Sequence, residues 1–221
     1  MARDERTLAY RIGTFFVGLA FRACFRLRSA GISHVPLEGH AIVAGNHVSA
    51  LDGVVLGLFV SQQRRRMTRF LVAAEFFRKW TVAWALRLYR QIPVRRGARD
   101  LGALDEAIQT VRAGALAGIF PEGTVNAGTE LLHAKRGIAR IALATGASVI
   151  PVGIWGTQRR WPRDGLHLHR PWRPPLAVTF GDPVEPTGDP ASREDQDRFL
   201  ARVMEKIAEQ VEVAQALAER P

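Results

Sequence analysis

The 221-residue chain sets 31 Lys and Arg against 21 Asp and Glu, a net charge of +10, and 47% of its residues are hydrophobic. This composition excludes disordered and fibrous chains, and the length is that of one domain able to bury a full core without staples. Its one cysteine, Cys24, excludes an intrachain disulfide and fits a reducing compartment, with the thiol expected as a buried structural group. Only Lys79, Lys135 and Lys206 are lysines, so the positive charge is almost all arginine. Such a surface favours polyanions: nucleic acid, an anionic membrane or a phosphorylated substrate.

Residues 7–30 read as a helix, with Leu8, Ile12, Phe15, Phe16, Leu19, Phe25 and Leu27 set against Arg11, Arg22, Arg26 and Arg28. An apolar, aromatic-rich face opposite Arg suits a helix lying in a membrane interface, or one docked on its own domain. Its uncharged stretch Ile12–Phe21 is followed by basic residues rather than a small-residue cleavage site, so no signal peptide is expected. No run reaches the roughly 20 apolar residues a spanning helix needs.

Ala41–Gly45 reads as a buried strand, and Gly53–Val60 as a short helix. Gln62–Arg66 is a basic loop, either a solvated turn or a phosphate-facing patch. Arg69–Ala74 is a strand, and Phe77, Trp80, Trp84 and Leu88 form a helical stripe suited to a core or to a membrane boundary. Gln91–Val94 is a short strand, and Asp100–Arg112 an amphipathic helix with Asp100 as N-cap and Gly114 past its end. Ala115–Phe120 is a strand, Lys135–Thr145 a helix closed by Gly146, and Ser148–Trp155 and Leu176–Phe180 are strands. Ser192–Glu219 is a charged amphipathic helix. Strands alternating with helices predict an α/β fold: a mainly parallel central sheet flanked by helices. The N-terminal amphipathic element covers residues 1–30 and the main domain residues 31–221.

Between the first strand and its helix lies Asn46-His47-Val48-Ser49-Ala50-Leu51-Asp52. Five residues apart within one helix do not face each other, but a His on the turn and an Asp in the first helical turn can meet. Asp52 would then hold one imidazole nitrogen of His47 and leave the other to take a proton, which makes His47 a candidate general base. An ordinary polar loop would also contain these residue types. The six His are scattered, and His167 and His169 have no Cys or carboxylate cluster beside them, so no metal site is expected.

Four blocks then stand in order: Asn46–Asp52, Ile92-Pro93-Val94-Arg95-Arg96-Gly97, Phe120-Pro121-Glu122-Gly123-Thr124 and Val149-Ile150-Pro151-Val152, with Lys135-Arg136-Gly137 before a helix. On these blocks, over about residues 25–185, the chain resembles the glycerolipid acyltransferase family, specifically the 1-acyl-sn-glycerol-3-phosphate acyltransferases. It departs from the family at Arg90, near where Gly is usual, and at Arg95, where an acidic residue is common.

The resemblance implies transfer of a fatty acyl group from a thioester, acyl-CoA or an acyl carrier protein, to the free hydroxyl of 1-acylglycerol 3-phosphate. That reaction makes phosphatidic acid for phospholipid biosynthesis and needs no further cofactor. His47 is the implied base and Asp52 its partner. Arg96, with Arg95 as the alternative cation, would grip the acceptor phosphate. Glu122 would orient Arg96 or bind glycerol hydroxyls, and Gly123 would offer a backbone N–H to the thioester oxygen. Thr124 belongs to the same substrate-binding block, and Lys135 would add positive potential. Ser49 is expected only to cap the helix, since no acyl-enzyme is required. Because the lipid substrates reside in a bilayer, the implied partner is an anionic membrane surface, with peripheral or monotopic attachment at the cytoplasmic face of the cell membrane. Alternatives are another lysophospholipid, glycerol 3-phosphate or a glycolipid as acceptor, a thioesterase, or a non-catalytic basic protein binding membrane or nucleic acid. The four blocks argue against the last, and no nucleic-acid signature is present.

Overall fold

The computed structural model describes residues 5–95, 101–128, 130–167 and 172–220. Arg96, Asp100 and His169, singled out above, lie outside the described residues. Seven strands form one sheet: β1 (Arg26–Ala30), β2 (Ala41–Gly45), β3 (Thr68–Ala73), β4 (Ile92–Val94), β5 (Leu116–Ile119), β6 (Val149–Trp155) and β7 (Pro175–Phe180). Their order is β1-β7-β6-β2-β5-β3-β4. All neighbours run parallel except β6 and β7. The expected α/β architecture with a mainly parallel sheet is what the chain adopts.

β2 lies between β5 and β6 and is buried along its whole length, because helices cover both faces of the sheet there. Ile42 and Ala44 point into a core with α4 (Leu101–Arg112), α5 (Gly137–Thr145) and α6 (Arg193–Glu219). Val43 points the other way, towards α1 (Leu8–Cys24) and α2 (Asp52–Arg64), where it joins Phe21, Val55, Leu56 and Phe59. The ends of these helices carry the expected signals. Gly146 closes α5 in the left-handed conformation, and Ser192 caps α6 through Asp195 N–H.

Three expectations need correction. The first helix ends at Cys24, and Arg26–Ala30 forms the edge strand β1, parallel to β7. The alternation Arg26-Leu27-Arg28 has the strand period, and the open edge of β7 supplies the hydrogen bonds that override helix propensity. Cys24 is exposed, since the chain leaves the helix here and it is Phe25 that turns inward. The aromatic stripe opens with a 3-10 turn, Ala74–Arg78, before α3 (Trp80–Leu88). Trp80 and Trp84 of that helix are exposed, not core.

The first helix is docked on the domain along one face and exposes the other. Tyr10, Thr14, Gly18 and Phe21 are buried against the domain, with the Tyr10 ring 4.6 Å from that of Tyr89, just past α3. Leu8, Ile12, Phe15, Phe16 and Leu19 form an exposed apolar outer set. No described helix is long and apolar enough to cross a membrane.

Candidate active site

The site forms where β2 and β5 end, because in a parallel sheet both strands deliver their following loops to the same edge. Asp52 opens α2 and is fully buried. Its Oδ2 accepts from the backbone N–H of Val48 at 2.7 Å and of Ser49 at 2.8 Å, and lies 3.0 Å from His47 Nδ1. Oδ1 accepts from the Thr157 hydroxyl at 2.6 Å. A carboxylate held by so many donors is an acceptor towards the ring as well, so His47 Nδ1 carries a proton, and the neutral ring then has its lone pair at Nε2. The His47 side chain is 20% exposed, so this ring is within reach from outside.

The ring is fixed on its face too. His47 stacks on Phe120 with centroids 4.3 Å apart and planes 12° apart, and Phe70 stacks behind Phe120 at 5.6 Å and 8°. This column of rings depends on Gly118 of β5, where an added Cβ would stand 2.4 Å from the Phe70 ring. One edge and one face of the imidazole are therefore held, leaving the Nε2 edge.

The Phe120–Thr124 block braces the same turn. Glu122 is buried, and its Oε1 accepts from the His47 N–H at 2.8 Å. Its Oε2 accepts from Asn126 Nδ2 at 3.0 Å and from the Leu132 N–H at 2.9 Å. Asn126 also donates its own N–H to the His47 carbonyl at 2.6 Å. Both oxygens of Glu122 thus brace the loops around His47. Gly123 adopts φ 67°, and its N–H donates to the Phe120 carbonyl at 3.0 Å, so the donor expected for a thioester oxygen is engaged within its own turn. An added Cβ at Gly123 would stand 2.8 Å from Lys135 Nζ, so the Lys135 chain lies across this glycine. Thr124 is half-buried beside it. Arg95 is exposed at the end of β4, and Arg96 lies outside the described residues.

Ser49 makes two bonds, accepting from the Leu51 N–H and donating to the Trp161 carbonyl at 2.6 Å. Buried and committed this way, it is no exposed nucleophile. Sequence reasoning missed Thr157, Asn126 and Asn46, whose side-chain amide pairs with both backbone groups of Ile154. Asn46 stood inside the first block, so its place was visible although its task was not. Thr157 lies 105 residues from Asp52, and only the adjacency of β2 and β6 brings them together.

The Acyltransferase family pattern matches residues 26–155, more than half of the chain. A 1-acyl-sn-glycerol-3-phosphate acyltransferase of Borreliella burgdorferi is 30% identical over 129 residues, covering 58% of this chain and 50% of that one. An uncharacterized protein of Mycobacterium leprae is 27% identical over 232 residues, covering 89% of this chain and 61% of that protein. The chain therefore spans only half to three fifths of the length of these two relatives. Among solved structures, the 1-acyl-sn-glycerophosphate (LPA) acyltransferase PlsC of Thermotoga maritima matches with a TM-score of 0.71 at 26% identity, covering 95% of this chain and 83% of that one. With its His-x4-Asp pair held at the end of the central strand and the family pattern spanning most of its sheet, the chain belongs to the Acyltransferase family.

Proposed function

We propose that this chain moves a fatty acyl group from acyl-CoA or an acyl carrier protein to the free hydroxyl of 1-acylglycerol 3-phosphate, forming phosphatidic acid. The observation that carries this reading is the His47 imidazole, pinned through Nδ1 on buried Asp52 and open to approach. His47 Nε2 takes the proton of the acceptor hydroxyl as that oxygen attacks the thioester carbonyl. Asp52 keeps the ring in the required tautomer and stabilises the imidazolium. The carbon–sulfur bond breaks, and the thiolate leaves with the proton that His47 holds. The acceptor is acylated directly, because the thioester is already activated and Ser49 is committed to other bonds.

Arg96, Arg95 and Lys135 are the cations for the acceptor phosphate, Thr124 and Gly123 belong to the same substrate-binding set, with Lys135 lying across Gly123, and Glu122 acts by bracing the His47 backbone. The protein docks on the cytoplasmic face of the cell membrane through the outer face of α1, where Phe15 and Phe16 are exposed, together with Trp80 and Trp84 of α3. Anionic lipid then meets the surplus of arginine.

The test is thiol release from long-chain acyl-CoA on anionic vesicles, with and without lysophosphatidic acid, for wild type and His47→Ala. Release that depends on the acceptor, yields phosphatidic acid and disappears in the variant is the expected result. Release indifferent to the acceptor would indicate a thioesterase. Release seen only with another lysophospholipid, glycerol 3-phosphate or a glycolipid would reassign the acceptor.

A further inference from the structure

Building on the acyl-transfer reading above, we propose that Thr157 is a positioning residue for the reaction, and that the segment from Gly156 to Trp161 clasps the His47 turn. The carboxylate of Asp52 needs such a residue. The last torsion of an Asp side chain is broad and roughly two-fold, so its plane is set by what the two oxygens bind. Three of the donors already described converge on Oδ2, and the bond that fixes the other end comes from Thr157 at Oδ1. At 2.6 Å it lies in the range of a charge-assisted O–H···O⁻ bond, and both residues are fully buried. Released at Oδ1, the carboxylate would rock, and the His47 ring would rock with it.

The chain after β6 is built to deliver this hydroxyl. β6 pairs with β2 up to Gly45↔Val152 and runs on to Trp155, past the end of β2, where Ile154 binds the Asn46 side chain and the chain comes alongside the His47 turn. Gly156, at φ 108°, reverses the backbone immediately, in a conformation that side chains other than hydrogen rarely permit. A 3-10 turn over Thr157–Arg159 follows, and the Thr157 carbonyl accepts from the N–H groups of Arg160 and Trp161. The turn is fastened a second time where Ser49 donates to the Trp161 carbonyl at 2.6 Å. One clasp thus grips the His47–Asp52 turn at two points, through a hydroxyl that enters it and a hydroxyl that leaves it. The family pattern ends at Trp155, so every residue of the clasp lies beyond the matched stretch.

A side chain that merely fills space at this position would be replaceable by valine, which has the same shape without the hydroxyl. The experiment therefore compares Thr157→Val with Thr157→Ser in the vesicle assay, and measures urea midpoints for Thr157→Val, Asp52→Asn and the double variant. Thr157→Val should lower kcat about tenfold or more, with the KM for lysophosphatidic acid changed by less than about twofold, and Thr157→Ser should restore most of the rate. The two midpoint losses should fall short of adding. A valine variant with wild-type kcat, a serine variant as slow as valine, or additive midpoints would overturn the proposal. The failure of the acyl-transfer reading would look different. If wild-type thiol release ignores the acceptor, the same variants are compared on the hydrolytic rate. If wild type releases no thiol, the urea cycle alone decides whether Thr157 holds Asp52.

Discussion

The strands β2, β3 and β5 end in two clusters of buried charge, one at each end, about 15 Å apart along the sheet. At the carboxyl ends, Asp52 and Glu122 collect donors, including the backbone N–H groups of His47, Val48, Ser49 and Leu132. At the amino ends, Arg66 collects the carbonyls of Pro36, Gly39 and Gly114 at 3.1, 2.6 and 3.0 Å. The chemistry is reversed because the chain is. Loops leading out of a strand towards a helix present N–H groups, and loops leading out of a helix towards a strand present carbonyls. Burial pushes the Arg66 guanidinium below the ordinary arginine value, so the three carbonyls compensate a charge that is costly to desolvate. What separates the two ends is therefore not buried charge. Only at the carboxyl end does a buried charge hold a titratable ring with one nitrogen open to approach.

The comparison is sharpest at its two anchoring residues. Asp52→Asn should retain the turn's shape in part but lose the fixed tautomer of His47, lowering kcat by about 10³–10⁴-fold in the vesicle assay. Arg66→Met should do the reverse. It strands three carbonyls and should cost about 3 kcal/mol in urea unfolding, while the kcat of the folded fraction stays near wild type. An Arg66 variant that is stable but inactive would break the distinction between the two ends. Glu122→Gln lies between them. The neutral amide turns an N–H₂ towards a donor, so about 1–3 kcal/mol of stability should go, and kcat should fall with it because His47 N–H is among the groups affected.

How far the sequence revealed this arrangement follows from how local each part is. The His47–Asp52 pair was legible because its spacing bridges one strand-to-helix turn, and β2 because a central strand reads as an unbroken apolar run. Arg66 was not, since a basic stretch at a helix end normally points to solvent, and nothing local tells of the carbonyls of residues 39 and 114 arriving above it. Edge strand β1 was missed because an arginine-rich segment continuing an amphipathic helix has a helical reading until β7, about 150 residues later, offers its edge. Glu122 was recognised as important, yet its bond to the His47 turn runs to a backbone N–H 75 residues away, which no motif encodes.

An exposed pair gives the lower bound for charge in this fold. Arg136, at the start of α5, makes two bonds to Asp197 on α6, at 2.5 and 2.7 Å, with both side chains half exposed. The hydrogen-bonded guanidinium holds the Asp197 carboxyl below its ordinary value of 3.8. A carboxyl depressed in the folded state stabilises the fold above its unfolded value, and that contribution is lost as pH falls through the lower, folded one. Arg136→Gln should therefore lower the urea midpoint slightly at pH 7, and the difference from wild type should close as the pH drops below 3.8. The effect should be the smallest of the four and should fade with added salt, as it does for solvated charges. A large, salt-resistant loss at Arg136 would show that solvent exposure does not separate minor charges from structural ones here, and the contrast drawn between the buried ends of the sheet would lose its reference.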